Sequence, residues 1–212
     1  MAETKIPIIK GDRTVNNTDY RDALPVNLTA VSKQILGASG YLLSHPGLTL
    51  LGVGPGSDRA GYWNERQKIH FRVSGNDLIN LASDGTSVSL GTITGTDRAS
   101  MVHSFNSQSI VADGKWWLYD GTFTQQLDSD LGTPIDQTWI DGYYIFTDGE
   151  FLYHTDIADE TSIDPLKFAT SEFSPDPTLS VDKTSDNQLI AFNRYTTEFF
   201  ENRANEQFAF SR

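Results

Sequence analysis

Cysteine is absent from this 212-residue chain. Its absence excludes disulfides, a thiol nucleophile and any Cys-ligated zinc centre. Long apolar runs are missing too, so no helix able to cross a bilayer is expected. The opening, "MAETKIPIIKGDRTVNN", has neither the basic start nor the apolar stretch of a secretory signal. Basic residues are few: 16 Lys and Arg stand against 28 Asp and Glu, a net charge of -12. Proteins that grip nucleic acid draw most of their affinity from Lys and Arg that neutralise phosphates. No basic cluster of that density occurs here, so tight direct DNA binding is not expected, and the acidic balance reads first as solubility. Helical periodicity is scarce as well. The best stretch, residues 29–36 ("TAVSKQIL"), is expected to be a helix of barely two turns stopped by Gly37.

What is present is a folded composition, 38% hydrophobic and 21% charged, written from about Gly61 onward in short β-type runs. Gly, Asp and Asn break those runs. In "SIVADGKWWLYDG" and "YYIFTDGEFLYHTD", Asp113-Gly114 and Asp148-Gly149 fall where a tight two-residue turn with positive φ is expected. Gly75 holds the matching place in "FRVSGNDLINL", and Asn193-Arg194 in "LIAFNRYTTEFF". The successive intervals, Gly75 to Gly114, Gly114 to Gly149 and Gly149 to Arg194, are 39, 35 and 45 residues, close to the period of a four-stranded propeller blade. In the second repeat the strands are expected at 100–105, 108–112, 116–119 and 122–126. In the third they are expected at 138–140, 143–147 and 151–155, with a poor fourth near 167–170. An irregular β-sandwich would also have short strands, but would not require turns at a fixed interval. The expected fold is therefore all-β, a β-propeller of four-stranded blades, with about four blades of a larger propeller and an extended N-terminal arm. The arm is placed at residues 1–57 and the blades at 58–95, 96–133, 134–172 and 173–212. The arm shows no hairpin in its sequence, and its anchors Tyr20, Leu24, Val26, Leu28, Ile35, Tyr41, Leu42 and Leu43 are too frequent for a free leader.

Motifs that carry chemistry are incomplete. Gly52, Gly54 and Gly56 precede Ser57-Asp58 and no helix, where a phosphate loop needs Lys followed by Ser or Thr, so the stretch reads as a linker. Asp128 and Asp130 open like a calcium loop, but its twelfth position is Trp139 and not Glu. His45, His70, His103 and His154 make no metalloprotease spacing, and no G-x-S-x-G occurs. The pairs Trp116-Trp117, Tyr143-Tyr144 and Phe199-Phe200 could stack sugars. Adjacent strand residues face opposite sides, so one of each pair is expected in inter-blade packing.

The residues Lys10-Gly11, Asp19-Tyr20, Leu24-Pro25-Val26-Asn27, Ser39-Gly40-Tyr41-Leu42 and Pro46-Gly47 carry a resemblance. It continues in order through Arg98, Ser100-Met101, His103, Tyr119-Asp120-Gly121, Asp148-Gly149, Pro175-Asp176, Glu198 and Phe200. Over nearly the whole chain the sequence resembles the tail-accessory, or packaged-DNA stabilisation, proteins of short-tailed bacteriophages of enteric bacteria. The resemblance implies a structural virion protein, a tail hub or nozzle that binds below the portal and its adaptor ring. It implies a role in closing the head and retaining packaged DNA, with no enzymatic activity, catalytic residue, metal or cofactor. The implied partners are further copies in a ring, six by family resemblance, the portal adaptor ring, tailspikes and the tail needle or plug. Packaged DNA would pass through without tight binding, past a lumen whose acidity repels phosphate. The implied location is the virion tail, reached from the host cytoplasm during assembly. The candidate interface residues are Tyr20, Leu24, Pro25, Val26, Asn27, Tyr41, Leu42 and Pro46. Family members are about twice as long, so the chain is expected to be an N-terminal part or to meet blades from another chain. On this reading Phe199-Phe200 lies on the third strand of the last blade, whose outer face is covered by a neighbour or closed against the first blade. The alternatives are a carbohydrate-binding or glycan-processing propeller, marked by an aromatic platform and clustered carboxylates in the funnel, and a host-derived interaction propeller.

Overall fold

The computed structural model describes residues 28–35, 38–171 and 176–212. The chain divides into two compact units, Met1–Leu50 and Leu51–Arg212. In the first, β1 (Leu28–Ile35) and β2 (Ala38–Ser44) pair as an antiparallel hairpin, from Leu28 opposite Ser44 to Ile35 opposite Ala38. The stretch expected to be a short helix is thus a strand, and the arm expected to lack a hairpin contains one. A two-turn helix is marginal on its own, whereas strand pairing satisfies the backbone, and Thr29, Val31 and Ile35 are β-branched.

The second unit folds into four sheets, each a meander of four consecutive antiparallel strands. The first holds β3 (Asp58–Asn64), β4 (Ile69–Ser74), β5 (Asp77–Leu81) and β6 (Ser87–Thr92). The second holds β7 (Ser100–His103), β8 (Gln108–Ala112), β9 (Lys115–Tyr119) and β10 (Phe123–Gln126). The third holds β11 (Asp136–Ile140), β12 (Tyr143–Thr147), β13 (Phe151–Thr155) and β14 (Ile163–Thr170). The fourth holds β15 (Thr178–Lys183), β16 (Leu189–Asn193), β17 (Thr197–Asn202) and β18 (Phe210–Ser211). Sheets of this size, repeating along the chain and packed face to face, are the blades of an all-β propeller.

The turns divide into two kinds. Asp113 and Gly114 have φ values of 52° and 65°, so the tight turn between β8 and β9 has both central residues in the left-handed region. Asp148-Gly149 departs from that expectation: of the two only Gly149 has positive φ, and the connection between the strands runs over three residues, 148–150. There the Asp148 carboxylate accepts from the amides of Glu150 (2.9 Å) and Phe151 (2.7 Å), which holds the longer loop open. In the third sheet the last strand is eight residues long, beginning well before the poor fourth strand expected near 167–170.

Each pair of neighbouring sheets encloses one apolar layer. Phe71, Val73, Leu78 and Ile93 meet Ile110, Ala112 and Trp117 between the first two. Val111, Trp116 and Leu118 meet Tyr144, Phe146, Tyr153 and Ile163 between the second and third. Ile140, Ile145 and Leu152 meet Val181, Leu189, Ala191, Phe200, Phe208 and Phe210 between the third and fourth. Trp116 and Trp117 are therefore both buried, one in each layer flanking the second sheet, where only one had been expected in the core. A sheet covered on both faces uses both sides of the strand alternation. Phe199-Phe200 follows the one-sided rule: Phe200 is 3% exposed and Phe199 52%.

Buried and half-buried polar side chains near the inner strands stitch the same neighbours together. Asn64 donates to Gln108 of the next sheet at 3.1 Å. Gln137 accepts from Ser109 at 2.5 Å and donates to the Ser100 carbonyl at 3.1 Å. Asp136 accepts from the Val181 amide at 3.1 Å and from the Ser180 hydroxyl. Such buried hydrogen bonds have few geometric alternatives, so they fix the register between blades that apolar packing alone leaves looser.

The glycine-rich stretch from Gly52 to Gly56 is an ordered strap, not a linker. A Cβ on Gly52 would collide with the Gly85 carbonyl oxygen, and one on Gly56 would lie 2.7 Å from Gly75 Cα. Ser74 Oγ donates to the Gly56 carbonyl at 2.8 Å, and the Gly75 amide to the Ser57 carbonyl at 2.7 Å. Glycine is needed because backbone lies directly on backbone.

Candidate functional site

The first strands of all four sheets, β3, β7, β11 and β15, converge on one axial cavity of about 540 Å³. Its wall includes Tyr62, Arg98, His103, Asp136, Gln137, Asp182 and Lys183. Apart from Arg98, which lies just before β7, these residues come from the same strand of successive repeats, so the fold places side chains roughly forty residues apart around a single axis.

Arg59 also lines the cavity, but its donors are spent. Its Nε donates to the Asp97 carbonyl at 2.7 Å, and its terminal nitrogens to the carbonyls of Gly75 (3.2 Å), Ile93 (3.1 Å) and Thr94 (3.1 Å). It clamps the first blade to the segment leading into the second. The Tyr62 hydroxyl and His103 Nδ1 are hydrogen-bonded at 2.7 Å. Burial first, and then the charges of Lys183 and Arg66, hold the His103 imidazole below its ordinary pKa. Burial also raises the Tyr62 phenol, against the His103 hydrogen bond and with help from Asp182.

Beside this pair lies a cluster to which every blade contributes. The Arg66 guanidinium sits 4.4 Å from the Phe105 ring centroid, and Lys183 Nζ 5.3 Å from that of Trp139. Phe105 and Trp139 meet edge to face at 4.7 Å. Both rings thus have a cation over them and an aromatic partner beside them. The two acids of the wall are engaged as well, Asp136 by Ser180 and Val181, and Asp182 by the Lys183 amide at 2.8 Å.

Among the candidate interface residues, Tyr20, Leu24, Pro25, Val26 and Asn27 lie outside the described residues. Tyr41 and Leu42 stand on β2, opposite Val31 and Ala30. Pro46 is exposed in the extended stretch that follows. The hairpin therefore brings Tyr41 and Leu42 onto one paired strand. The funnel residues carry no local motif; the only signal for them is their equivalent position in the first strand of each repeat.

Two further sequence candidates, Asp128 and His154, have structural partners. Asp128 caps a 3-10 turn (Ser129–Leu131) through the Asp130 amide at 2.9 Å and accepts from the Ile163 amide at 3.1 Å. Buried His154 donates from Nδ1 to the Thr155 carbonyl at 2.6 Å and accepts at Nε2 from the Ala209 amide at 3.0 Å. Among the described residues no group of three or more His, Asp or Glu is arranged to hold a metal.

A family model agrees with this architecture. The family model described as "Bacteriophage P22 Gp10, beta-propeller" matches residues 4–212. The tail hub protein gp10 of Salmonella phage P22 is 32% identical over 220 residues, which cover 94% of this chain and 44% of that protein. The chain thus spans less than half the length of that relative. Among solved structures, a chain of the Saccharomyces cerevisiae complex of a dbp5 variant with nup159, a gle1 variant, ip6 and adp aligns with a TM-score of 0.48. It is 8% identical and covers 79% of this chain and 47% of the other. The family match spans all four blades as well as most of the segment before them, and on that ground the chain belongs to the bacteriophage P22 Gp10 β-propeller family.

Proposed function

We propose that the chain is a structural component of a short-tailed phage tail, a hub or nozzle protein acting by ring assembly and surface complementarity. The observation that carries this reading is the match over residues 4–212 together with 32% identity to a tail hub protein. On this reading the protein binds below the portal-adaptor ring, closes the filled head and retains the DNA. It assembles with further copies, six by family resemblance, and offers surfaces to tailspikes and the tail needle. Residues 1–57 serve as the arm and residues 58–212 as the rigid body. Tyr20, Leu24, Pro25, Val26, Asn27, Tyr41, Leu42 and Pro46 are the proposed contacts of the arm, and the DNA path is acidic so that phosphate slides past. The exposed side chains of Leu43, Leu48 and Leu50 support a docking role for the arm, because apolar groups in water gain by meeting a partner.

Negative-stain microscopy of the full chain mixed with portal–adaptor complexes tests the proposal. Added density below the adaptor is expected; bare complexes at saturating protein would overturn it. Removing residues 1–50 should abolish that density while far-UV circular dichroism still reports β-structure. Retained binding would move the contact onto the blades.

A further inference from the structure

We infer that the axial funnel is a receptor for an acidic peptide segment of a partner protein. The argument begins with how this acidic chain spends its cations. Lys68, Arg72, Lys115, Lys167, Arg203 and Arg212 each lie within salt-bridge distance of a carboxylate. Arg59, Arg66, Arg98, Lys183 and Arg194 have no such partner among the described residues; Arg59 is spent on main-chain carbonyls, and Arg194 lies outside the funnel. Arg98 and Lys183 line the funnel, and Arg66 lies beside it, over the Phe105 ring that meets the Trp139 ring under Lys183. In a chain with 28 acidic residues, cations left without carboxylates and gathered at one mouth are complementary to negative charge from outside.

The form of the cavity narrows the ligand class. Its volume, about 540 Å³, lies within the range of small-ligand pockets, roughly 300–1,000 Å³. Phe105 and Trp139 each carry a cation over one face, Arg66 and Lys183, so a ligand at the mouth meets positive charge beside the rings. Asp136 is turned to the Ser180 hydroxyl and the Val181 amide and Asp182 to the Lys183 amide, and neither pairs with Arg98 or Lys183; with Arg66 at the rim, the three cations outnumber these two acids. Carboxylates on a flexible chain suit this arrangement, with Arg98 and Lys183 as direct contacts and Arg66 at the rim. The inference goes beyond the hub reading and rests on the funnel's charges alone.

The test uses the full chain and fluorescein-labelled hexaglutamate, read by anisotropy at about 10 mM and about 150 mM ionic strength, where the screening length falls from about 30 Å to about 8 Å. Binding is expected at low salt and should weaken at high salt. Lys183→Gln and Arg98→Gln should each weaken it by roughly two- to five-fold, and the pair together by more. Lys183→Arg should restore it, and Arg194→Gln, a cation outside the funnel, should leave it unchanged. Each variant is checked for an unaltered melting temperature, and both substituted side chains are exposed, so the fold should tolerate them. No anisotropy change at low salt would overturn the inference. So would an equal loss with Arg194→Gln. Displacement of the label by pyrophosphate or oligothymidylate at lower concentration than by unlabelled hexaglutamate would overturn it in favour of free phosphate or nucleic acid.

Discussion

Arg59 sets four donor contacts against main-chain carbonyls in a buried site. Lysine carries the same charge but cannot reproduce a planar fork with several donors. Arg59→Lys should therefore leave carbonyls of the Gly75 turn and the 93–97 segment unsatisfied and cost about 2–4 kcal/mol in urea denaturation. A cost below about 0.5 kcal/mol would show that water replaces the clamp. His154 poses a different residue-scale problem. Its Nε2 accepts from Ala209 and its Nδ1 donates to Thr155, so the folded state holds it neutral. Burial is the main cause of its depressed pKa; Lys167 lowers it further, while the Thr155 hydrogen bond and the charges of Asp156 and Asp164 oppose the depression. For a depressed imidazole the stabilisation is complete above the ordinary value of about 6.5 and is lost as pH falls through the folded pKa. Between those two values stability should fall by up to about 1.4 kcal/mol per pH unit from this group. Denaturation at a series of pH values checks it: His154→Gln should flatten the difference between pH 7 and pH 5. An unchanged slope would assign the acid sensitivity to other groups.

At the scale of elements, the strap from Gly52 to Gly56 is held where side chains would not fit. Gly52→Ala should force the strap away from Gly85 and lower stability by about 1–3 kcal/mol, read by the thermal midpoint. An unaffected midpoint would mean that the strap contributes nothing to the first blade. The sequence shows three glycines in five residues, but not what they approach, because Gly85 and Gly75 lie far along the chain. The hairpin repeat was legible for the opposite reason: Asp113-Gly114 closes a turn between its immediate neighbours, and local chemistry suffices. The double burial of Trp116 and Trp117 needed knowledge of which sheets have neighbours on both sides. Alternation gives the two faces but not what covers them. Trp116→Ala and Trp117→Ala should both be severe, about 3–5 kcal/mol each, since each empties a separate inter-blade layer. A mild effect at either position would show that the adjoining sheets collapse onto the gap.

At the scale of the whole blade unit, the period near forty residues made the number and order of blades readable, because each repeat is one meander. The funnel was not readable in that way. Its cations are spread from Arg66 to Lys183, and only closing the blades around an axis brings these two over the one Phe105–Trp139 pair. The fourth sheet shows what the repeat leaves over. One face packs Leu189, Ala191 and Phe200 against the third sheet, while Leu179, Phe192 and Phe199 on the other face are exposed. In the three packed interfaces the corresponding positions are filled from the next blade, so this face has the composition of an interface with solvent in place of a blade. Apolar surface of that kind associates at a rate and extent set by concentration. Sedimentation velocity on the 212-residue chain should show its average mass rising with concentration. The double variant Phe192→Ser with Phe199→Lys should sediment as a single smaller species, with a melting midpoint within a few degrees of the parent, because both side chains lie on the outer face. If the parent is monomeric throughout, or the double variant associates equally well, the outer face of the fourth sheet is not the adhesive surface.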